Sequence, residues 1–312
     1  MVLGKFLPPH KGHQYLIDFA ANFVEELTVV VGTLKSEPIS GELRYQWLRD
    51  MYPKLNIVHL TDENPQKPSE HKYFWNIWRT SLLKVLPYKP DYVFASEDYG
   101  YRLAQELGAK FISVNKSRDI IQISGTKIRE KPFKYWDYLP DPVKNYFLKR
   151  IYILGSESTE KSTLTQNLAK HYQTNFVPKY FKTYLEGKKG VLTKEDISFI
   201  AQGQIASEKA LLKNANKIFF SDRDLLKTSI WDDFLYQSCE PWIKELSYQN
   251  NYDLYLLTDI ENSYIHQEQD SFMQQCIEEL EKRNLPYVRL SGSWDDHFIQ
   301  ACNSINKLIE NL

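Results

Sequence analysis

The sequence of 312 residues has only three cysteines, no long apolar run and no excess of charge of either sign. Cys239, Cys276 and Cys302 are far apart and form no CxxC pair, so we expect reduced thiols rather than a disulfide framework or a metal site. No segment is apolar enough to span a membrane. Met1 leads directly into a strand-like segment without a signal peptide, and we therefore expect a cytoplasmic protein.

The balance of charge excludes one large class of partner. Against 40 acidic residues stand 39 lysines and arginines, and the net charge of −1 gives no electrostatic footprint for nucleic acid. The hydrophobic fraction of 42% and the charged fraction of 25% are typical of a soluble globular protein, and the length allows two ordinary domains. We expect small-molecule ligands, and neither a nucleic acid nor a membrane as a partner.

The first chemical motif is GKFLPPHKGH at residues 4–13. The apolar segment Val2–Phe6 predicts a short buried strand, and the apolar spacing from Gly12 to Phe23 predicts an amphipathic helix. His10 and His13 therefore lie where a strand passes into a helix. There the free N–H groups and the helix dipole favour an anion, and imidazoles add donors for a phosphate. The alternative is two surface histidines near a turn, but the strand-to-helix context favours phosphate binding.

The rest of the first half alternates strand-like and helix-like segments. This rhythm predicts an α/β domain with a parallel sheet and helices on both faces. Ligands of such sheets bind at the carboxyl ends of the strands, where Gly4–His13 and Ala95–Gly100 would both lie. The further predicted strands are Leu27–Gly32, Asn56–Leu60, Tyr92–Ala95 and Lys110–Val114, and the predicted helices are Ser40–Met51, Tyr73–Leu86 and Tyr101–Leu107.

A second chemical motif is ISGTKIR at residues 123–129. Ser124 is a good N-cap, which places Thr126 and Arg129 in the first helical turn. Hydroxyls, free N–H groups and a guanidinium at one helix end suit a polyphosphate. A capped helix with a solvated arginine is the alternative for this segment alone, and the pairing with the histidine motif favours the phosphate interpretation.

The two motifs together resemble those of the nucleotidyltransferase superfamily. The segments PISG (38–41), FWNIWR (74–79) and SEDYG (96–100) resemble its nicotinamide mononucleotide (NMN) adenylyltransferase branch. More narrowly, the chain is similar to the two-domain NadR-like proteins, which join that enzyme to a ribosylnicotinamide kinase. The resemblance implies a Rossmann-like nucleotidyltransferase domain at residues 1–147 and a P-loop kinase-like α/β domain at residues 148–312.

The resemblance also implies the chemistry of the first domain. NMN would attack the α-phosphate of ATP in line and give NAD and pyrophosphate without a covalent intermediate, by positioning and electrostatics. Mg²⁺ would accompany ATP with few or no protein ligands. Trp47, Trp75 and Trp78 are candidates to stack on nicotinamide, although core packing is the better interpretation for at least two of them. The implied catalytic residues are His10, His13 and Arg129, and the implied ATP-binding residues are Gly4, Lys5, Phe6, Ser96, Ser124 and Thr126.

After a connecting segment at Pro132–Lys149, the strand-like Arg150–Leu154 runs into GSESTEKST at residues 155–163 and a helix. This is nearly a P-loop, G-x-x-x-x-G-K-[ST], in its required context. Glu160 stands where the motif has glycine, so it adds bulk and a negative charge beside the phosphates. One like-charge contact at 4 Å costs about 4 kcal/mol at an effective dielectric constant of 20. We therefore expect a degenerate nucleotide site.

Other positions of the second half also depart from the kinase pattern. PKYFK (178–182) replaces P-E-Y-x-R, Asp222-Arg223-Asp224 replaces D-T-D, Gln267–Asp270 replaces a D-G-x-R segment, and His297 replaces an arginine. We expect a kinase fold with little or no kinase activity. The opposing explanation is a rearranged working site built from Glu160, Lys179 and Arg223. The residues assigned to the degenerate site are Gly155, Glu160, Lys161, Ser162, Asp222 and Asp224.

Three functions remain open. The first is an NAD-forming adenylyltransferase with a degenerate kinase partner, and the second is a bifunctional enzyme that also makes NMN from nicotinamide riboside. The third is a non-catalytic sensor of nicotinamide nucleotides. The implied ligands are NMN, ATP, NAD and, for the second function, nicotinamide riboside, and a homo-oligomer is left open. A repressor version is disfavoured because the chain starts at the catalytic strand, and phosphopantetheine and riboflavin phosphate are disfavoured as acceptors.

Overall fold

The computed structural model describes residues 1–117, 119–155, 161–188, 192–222, 225–236, 239–249, 252–258 and 267–310, with the backbone alone for 234–236 and 267–270. The chain divides into two compact units, Met1–Tyr146 and Phe147–Leu312. Each unit contains a five-stranded sheet in which all described strand pairs are parallel. The predicted α/β class is confirmed. None of the helices in the described residues has both the length and the apolar character of a membrane-spanning segment.

The sheet of the first unit has the strand order β3-β2-β1-β4-β5. The strand order reverses at β1, because the chain builds outward to β2 and β3 and then returns to β4 on the other side. This reversal opens a crevice at the carboxyl ends of β1 and β4, the place where doubly wound sheets bind ligands. The elements are β1 (Val2–Gly4), α1 (Lys11–Phe23), β2 (Thr28–Gly32), α2 (Gly41–Met51), β3 (Asn56–Leu60), α3 (Phe74–Val85), β4 (Tyr92–Ala95), α4 (Tyr99–Leu107), β5 (Lys110–Ser113), α5 (Gly125–Glu130) and α6 (Asp141–Phe147).

Both faces of this sheet are covered by helices. Val29 and Val31 pack with Ile17 of α1 in one apolar cluster, whereas Val30 between them packs with Leu82 of α3 in another. Successive side chains of a strand point to opposite faces. A strand that is buried on both faces therefore has an unbroken apolar run.

The segment Pro132–Lys149, expected as the connection between domains, is more structured than a linker. It contains a 3₁₀ turn at Trp136–Tyr138 and helix α6, and Lys149 already belongs to the next strand. Its apolar residues explain the difference, because they are withdrawn from solvent rather than left on a free chain. The buried ones are Phe133, Trp136, Leu139 and Val143.

The sheet of the second unit has the order β10-β9-β6-β8-β7, with β6 in the centre. Ile151 and Ile153 pack with α7 and α13 on one face, and Tyr152 and Leu154 pack on the other face. The elements are β6 (Lys149–Gly155), α7 (Lys161–His171), β7 (Phe176–Val177), α8 (Tyr180–Gly187), α9 (Lys194–Leu212), β8 (Ile218–Ser221), α10 (Leu225–Tyr236), α11 (Pro241–Gln249), β9 (Leu254–Thr258), α12 (Gln267–Lys282), β10 (Tyr287–Leu290) and α13 (Trp294–Glu310).

Candidate functional site

A cavity of about 720 Å³ lies at the carboxyl ends of β1 and β4 in the first unit. Its wall contains residues from both sequence motifs, although these are more than a hundred positions apart. All nine residues that the sequence assigned to catalysis or ATP binding in this unit line the cavity: Gly4, Lys5, Phe6, His10, His13, Ser96, Ser124, Thr126 and Arg129. The structure therefore brings them together around one space, and their individual roles stay predictions.

The turn between β1 and α1 places the two histidines side by side. His10 is the N-cap of α1, and its Nδ1 accepts a hydrogen bond from the backbone N–H of His13 at 3.3 Å. The two rings stack with their centroids 3.7 Å apart. A β-carbon on Gly12 would lie 3.1 Å from the His10 ring, so glycine leaves room for it. Both imidazoles thus stand at a helix N-terminus, where the dipole favours an anion.

Helix α5 begins directly against this turn. The Oγ of Ser124 accepts the N–H of Lys127 at 3.4 Å and caps the helix. A β-carbon on Gly125 would lie 2.3 Å from the carbonyl oxygen of Leu7. Arg129 donates from Nη1 to the same carbonyl and from Nη2 to the Oγ1 of Thr126 at 3.2 Å. Close backbone packing and one guanidinium therefore hold the two motifs together.

A buried ion pair fixes the other side of the histidine loop. Arg44 of α2 is fully buried and donates to the carbonyl oxygen of Lys5 at 2.6 Å and to Glu37 Oε2 at 2.5 Å. Glu37 also pairs with the Lys5 ammonium at 3.0 Å. Burial alone raises the pKa of Glu37, but hydrogen bonds from the Leu34 N–H, Lys5 and Arg44 leave this pKa below its usual value. The backbone at Lys5 is therefore held by a charged, hydrogen-bonded network.

Two of the three candidate tryptophans line the cavity. Trp75 and Trp78 lie in its wall, and Trp78 donates from Nε1 to the carbonyl of Pro65 at 2.8 Å. Trp47 is buried and packs edge-on against Tyr146, with ring centroids 5.6 Å apart. Trp47 is therefore a core residue, and stacking on nicotinamide remains a prediction for Trp75 and Trp78.

In the second unit, some of the residues that the sequence assigned to a degenerate kinase site lie together at the ends of β6 and β8. Asp222 follows β8 and is buried, and Ser162 of α7 donates from Oγ to its Oδ2 at 2.5 Å. The Nζ of Lys179 lies 3.7 Å from Asp222 Oδ1. Lys161 is buried at the start of α7, six residues after the end of β6 at Gly155. Glu160, Arg223 and Asp224 lie outside the described residues.

Two other positions that depart from the kinase pattern are His297 and the segment Gln267–Asp270. His297 is buried near the start of α13, and its ring meets that of Trp294 edge-on at 5.4 Å. Gln267–Asp270 form the start of α12, and their side chains lie outside the described part of the chain.

Comparison with known proteins gives the context of both sites. A family model described as an AAA domain matches residues 150–297. The trifunctional NAD biosynthesis/regulator protein NadR of Escherichia coli (strain K12) is 28% identical, with 99% of this chain and 83% of that protein covered. Its counterpart in Salmonella typhimurium (strain LT2) is 27% identical over the same shares.

Two solved structures share the fold of this chain over nearly its whole length. A crystal structure of NadR protein in complex with NR has a TM-score of 0.82 and 21% identity, and covers 98% of this chain and 94% of its own. A crystal structure of NadR protein in complex with NAD and AMP-PNP has a TM-score of 0.81 and 20% identity, covering 98% and 95%. The chain is thus similar to NadR proteins over nearly its whole length.

Two features of the candidate site in the first unit were not predicted from the sequence. The contact of Gly125 with Leu7 left no signal in the sequence, because it depends on how two distant segments pack. The buried Arg44 did leave one: it shares a helix face with Trp47 and Leu48, and a charged residue on an apolar face indicates a buried partner.

Among the described residues no group of three or more histidines, cysteines or carboxylates could hold a metal ion.

Proposed function

We propose that the first unit is an NMN adenylyltransferase that makes NAD and pyrophosphate from NMN and ATP. The observation that carries the proposal is the convergence of the stacked His10 and His13 with Arg129 at one cavity. Hydrogen-bond donors at the N-termini of α1 and α5, together with the guanidinium of Arg129 in the last turn of α5, suit a polyphosphate. The relatives named as NAD biosynthesis proteins support it, as do the NadR structures that hold NR, NAD and AMP-PNP.

In this mechanism a phosphate oxygen of NMN attacks the α-phosphorus of ATP while the bond from that phosphorus to the bridging oxygen of pyrophosphate breaks. His10 and His13 donate to the oxygens of the transferring phosphoryl group, whose charge grows in the transition state. Ser124, Thr126 and Arg129 hold the β- and γ-phosphates. The protein supplies alignment of the attacking and leaving oxygens rather than a covalent intermediate.

The cavity suits a magnesium ion that is held mainly by the ATP phosphates. Two carboxylates, Asp62 and Glu97, are among the residues that line it. Mg²⁺ in such sites keeps several waters and uses one or two carboxylates with substrate phosphates. When bound, it would neutralise part of the triphosphate charge.

For the second unit we propose a kinase-like domain of weak or no ribosylnicotinamide kinase activity. The substitution of glycine by Glu160 and the replacement of the P-E-Y-x-R pattern support this. A full bifunctional enzyme is the alternative, favoured by the contact of the Ser162 hydroxyl with the Asp222 carboxylate. Glu160→Gly tests the choice, because it should raise turnover of nicotinamide riboside. Robust kinase turnover that Glu160→Gly fails to raise would contradict the proposal.

A panel of acceptors tests the first-unit proposal. The full chain is incubated with ATP, magnesium and NMN, phosphopantetheine or riboflavin phosphate, and products are identified by mass spectrometry. We expect NAD from NMN and no adenylylated product from the others. A different adenylylated acceptor would contradict the substrate assignment. Ligand-dependent thermal stabilisation by NMN or NAD without any product would favour the sensor function instead.

A further inference from the structure

The wall of the first-unit cavity has two parts of different charge. The two sequence motifs contribute Lys5 and Arg129 as cations beside the two histidines. The other part comes from residues 32–78, at the ends of β2 and β3 and on α3. Among the described residues of this second part, Asp62 is a carboxylate and none is a lysine, arginine or histidine. A ligand with a phosphate at one end and a positive charge at the other matches both parts.

The carboxylate of Asp62 keeps most of its negative charge. The Nζ of Lys84 lies 3.9 Å from Asp62 Oδ1, and the lysine side chain is 71% exposed. An exposed ion pair at this distance contributes little, and salt screens it further. The cavity therefore has an anionic group in the segment that follows β3.

An aromatic surface belongs to the same part of the wall. The ring of Trp78 packs against the end of β2, where a β-carbon on Gly32 would lie 3.6 Å from its Cη2. The indole N–H donates to the carbonyl of Pro65 at 2.8 Å, three residues after Asp62. Trp78 is therefore fixed between the end of β2 and the segment that follows β3. A flat cationic ring is attracted both by the face of an indole and by a carboxylate.

A histidine outside the cavity wall fixes the hydrogen bonding of Thr33, the residue after β2. The Oγ1 of Thr33 lies 3.0 Å from Nε2 of His59, and Oε2 of Glu42 lies 3.5 Å from Nδ1 of the same ring. A carboxylate can only accept, so it favours the proton on Nδ1 and leaves Nε2 as an acceptor. Burial, aided by the charge of Arg44, lowers the pKa of His59, which keeps the ring neutral at neutral pH.

The Thr33 hydroxyl therefore donates its single proton to His59. The carbonyl oxygen of Leu60 is a second acceptor at 3.4 Å, but the contact with Nε2 is shorter. A β-carbon on Gly41 would lie 2.6 Å from Thr33 Oγ1, so close packing of α2 holds this side chain in place. Thr33 lines the cavity. Its oxygen has lone pairs left for a ligand and no proton, and its partner must therefore be a donor.

We propose that Thr33 and Asp62 make the first unit select a nucleotide whose cationic base carries a carboxamide over one whose base carries a carboxylate. The carboxamide N–H donates to Thr33 Oγ1, and Asp62 attracts the pyridinium ring. A carboxylate has no proton to donate at neutral pH, and both oxygen groups repel it. The inference rests on the proposed adenylyltransferase function and adds the residues that choose between its substrates.

Two competing nucleotides test this selection on the full chain. With ATP and magnesium, kcat/KM is measured for NMN and for nicotinic acid mononucleotide, and mass spectrometry identifies the two dinucleotide products. We expect the wild-type chain to prefer NMN by about tenfold or more. If the chain forms NAD without this preference, only the specificity inference fails. If it forms neither dinucleotide, the proposed function fails together with the inference.

Substitutions of the two residues provide the residue-level test. Thr33→Val removes the hydroxyl at nearly constant shape, and Asp62→Asn removes the charge. Each should reduce the preference for NMN by about fivefold or more, mainly through KM. Asp62→Asn should also raise kcat/KM for nicotinic acid mononucleotide. Thr33→Ser keeps the hydroxyl and should retain the preference, as should the control Asp50→Asn, which removes an exposed carboxylate of α2.

Two results would overturn these assignments. A preference within about twofold of wild type in both Thr33→Val and Asp62→Asn would refute the inference. An equal fall in kcat/KM for both nucleotides in Asp62→Asn would mean that this carboxylate serves magnesium or the fold rather than the choice of base.

Discussion

Replacing Gly125 by alanine should separate the two phosphate motifs of the first unit. The added β-carbon would lie 2.3 Å from the Leu7 carbonyl oxygen and 3.0 Å from its carbon. Both neighbours are backbone atoms, which cannot rotate away as a flexible side chain could. To reach an ordinary contact of 3.4 Å, the start of α5 and the β1–α1 turn must move apart by about 1 Å.

A movement of this size weakens the site more than the fold. It lengthens the hydrogen bond from Arg129 to the Leu7 carbonyl and shifts Ser124 and Thr126 relative to the histidines. A misplacement of about 1 Å costs on the order of 100-fold in rate when catalysis depends on alignment. Overpacking costs about 1–3 kcal/mol in the free energy of unfolding. We therefore expect kcat/KM for NAD formation to fall about 100-fold, with a folded protein.

The assay is steady-state NAD formation from NMN and ATP, accompanied by denaturant unfolding. Gly187→Ala is the matched control, because a β-carbon at the end of α8 meets no atom within 4 Å. It should leave NAD formation unchanged and stabilise the chain by at most about 1 kcal/mol. If Gly125→Ala retains activity within twofold of wild type and unfolds at the same denaturant concentration, the close approach of α5 to Leu7 is not needed.

Three further predictions concern single side chains. His13→Ala and Arg129→Ala should each lower the rate of NAD formation by about 100-fold or more, the scale of a lost transition-state donor. The pKa of Glu37 is lowered in the folded state. Its contribution to stability is therefore present above the ordinary glutamate pKa and is lost as the pH falls through the folded pKa. Glu37→Gln should flatten the acid limb of a plot of thermal stability against pH. Burial, aided by the charges of Asp232 and Asp233, raises the thiol pKa of Cys239 to about 12. At pH 8 iodoacetamide should therefore label Cys239 far more slowly in native protein than in unfolded protein. Mass spectrometry measures the labelling.

Each of these predictions has an outcome that contradicts it. NAD formation within a factor of two of wild type would reject the roles of His13 and Arg129. Parallel stability curves for Glu37→Gln and the wild-type chain would mean that this carboxylate does not set the acid limb. Labelling of Cys239 at equal rates in native and unfolded protein would show that its thiol is not shielded.

Local patterns predicted the elements of the first unit well, because each element is buried on a face that its own sequence encodes. The run Val29–Val31 is strand-like since both faces of the sheet are covered by helices. Helix α4 begins two residues earlier than its predicted start at Tyr101. The helix includes Gly100, a residue type that disfavours helices. Glycine is needed there because a β-carbon would lie 2.6 Å from Ala95 and from Phe111.

The sequence did not predict the contacts between segments that are far apart in the chain. Lys179 was identified only as a departure from a motif, whereas the fold places its ammonium beside Asp222. The pairing of Arg44 with Glu37 and the Lys5 carbonyl likewise depends on how α2 packs. Residue types and spacing therefore predicted which groups matter in the phosphate motifs, and tertiary packing decided which partners hold them.

A paired assay on one purified sample of the full chain tests the proposed activities of both units. One reaction contains NMN, ATP and magnesium, and the other contains nicotinamide riboside, ATP and magnesium. We predict NAD from the first reaction and none from the second. NAD from both would show a working kinase half, and no NAD from the first reaction would contradict the central claim that the cavity of His10, His13 and Arg129 forms NAD.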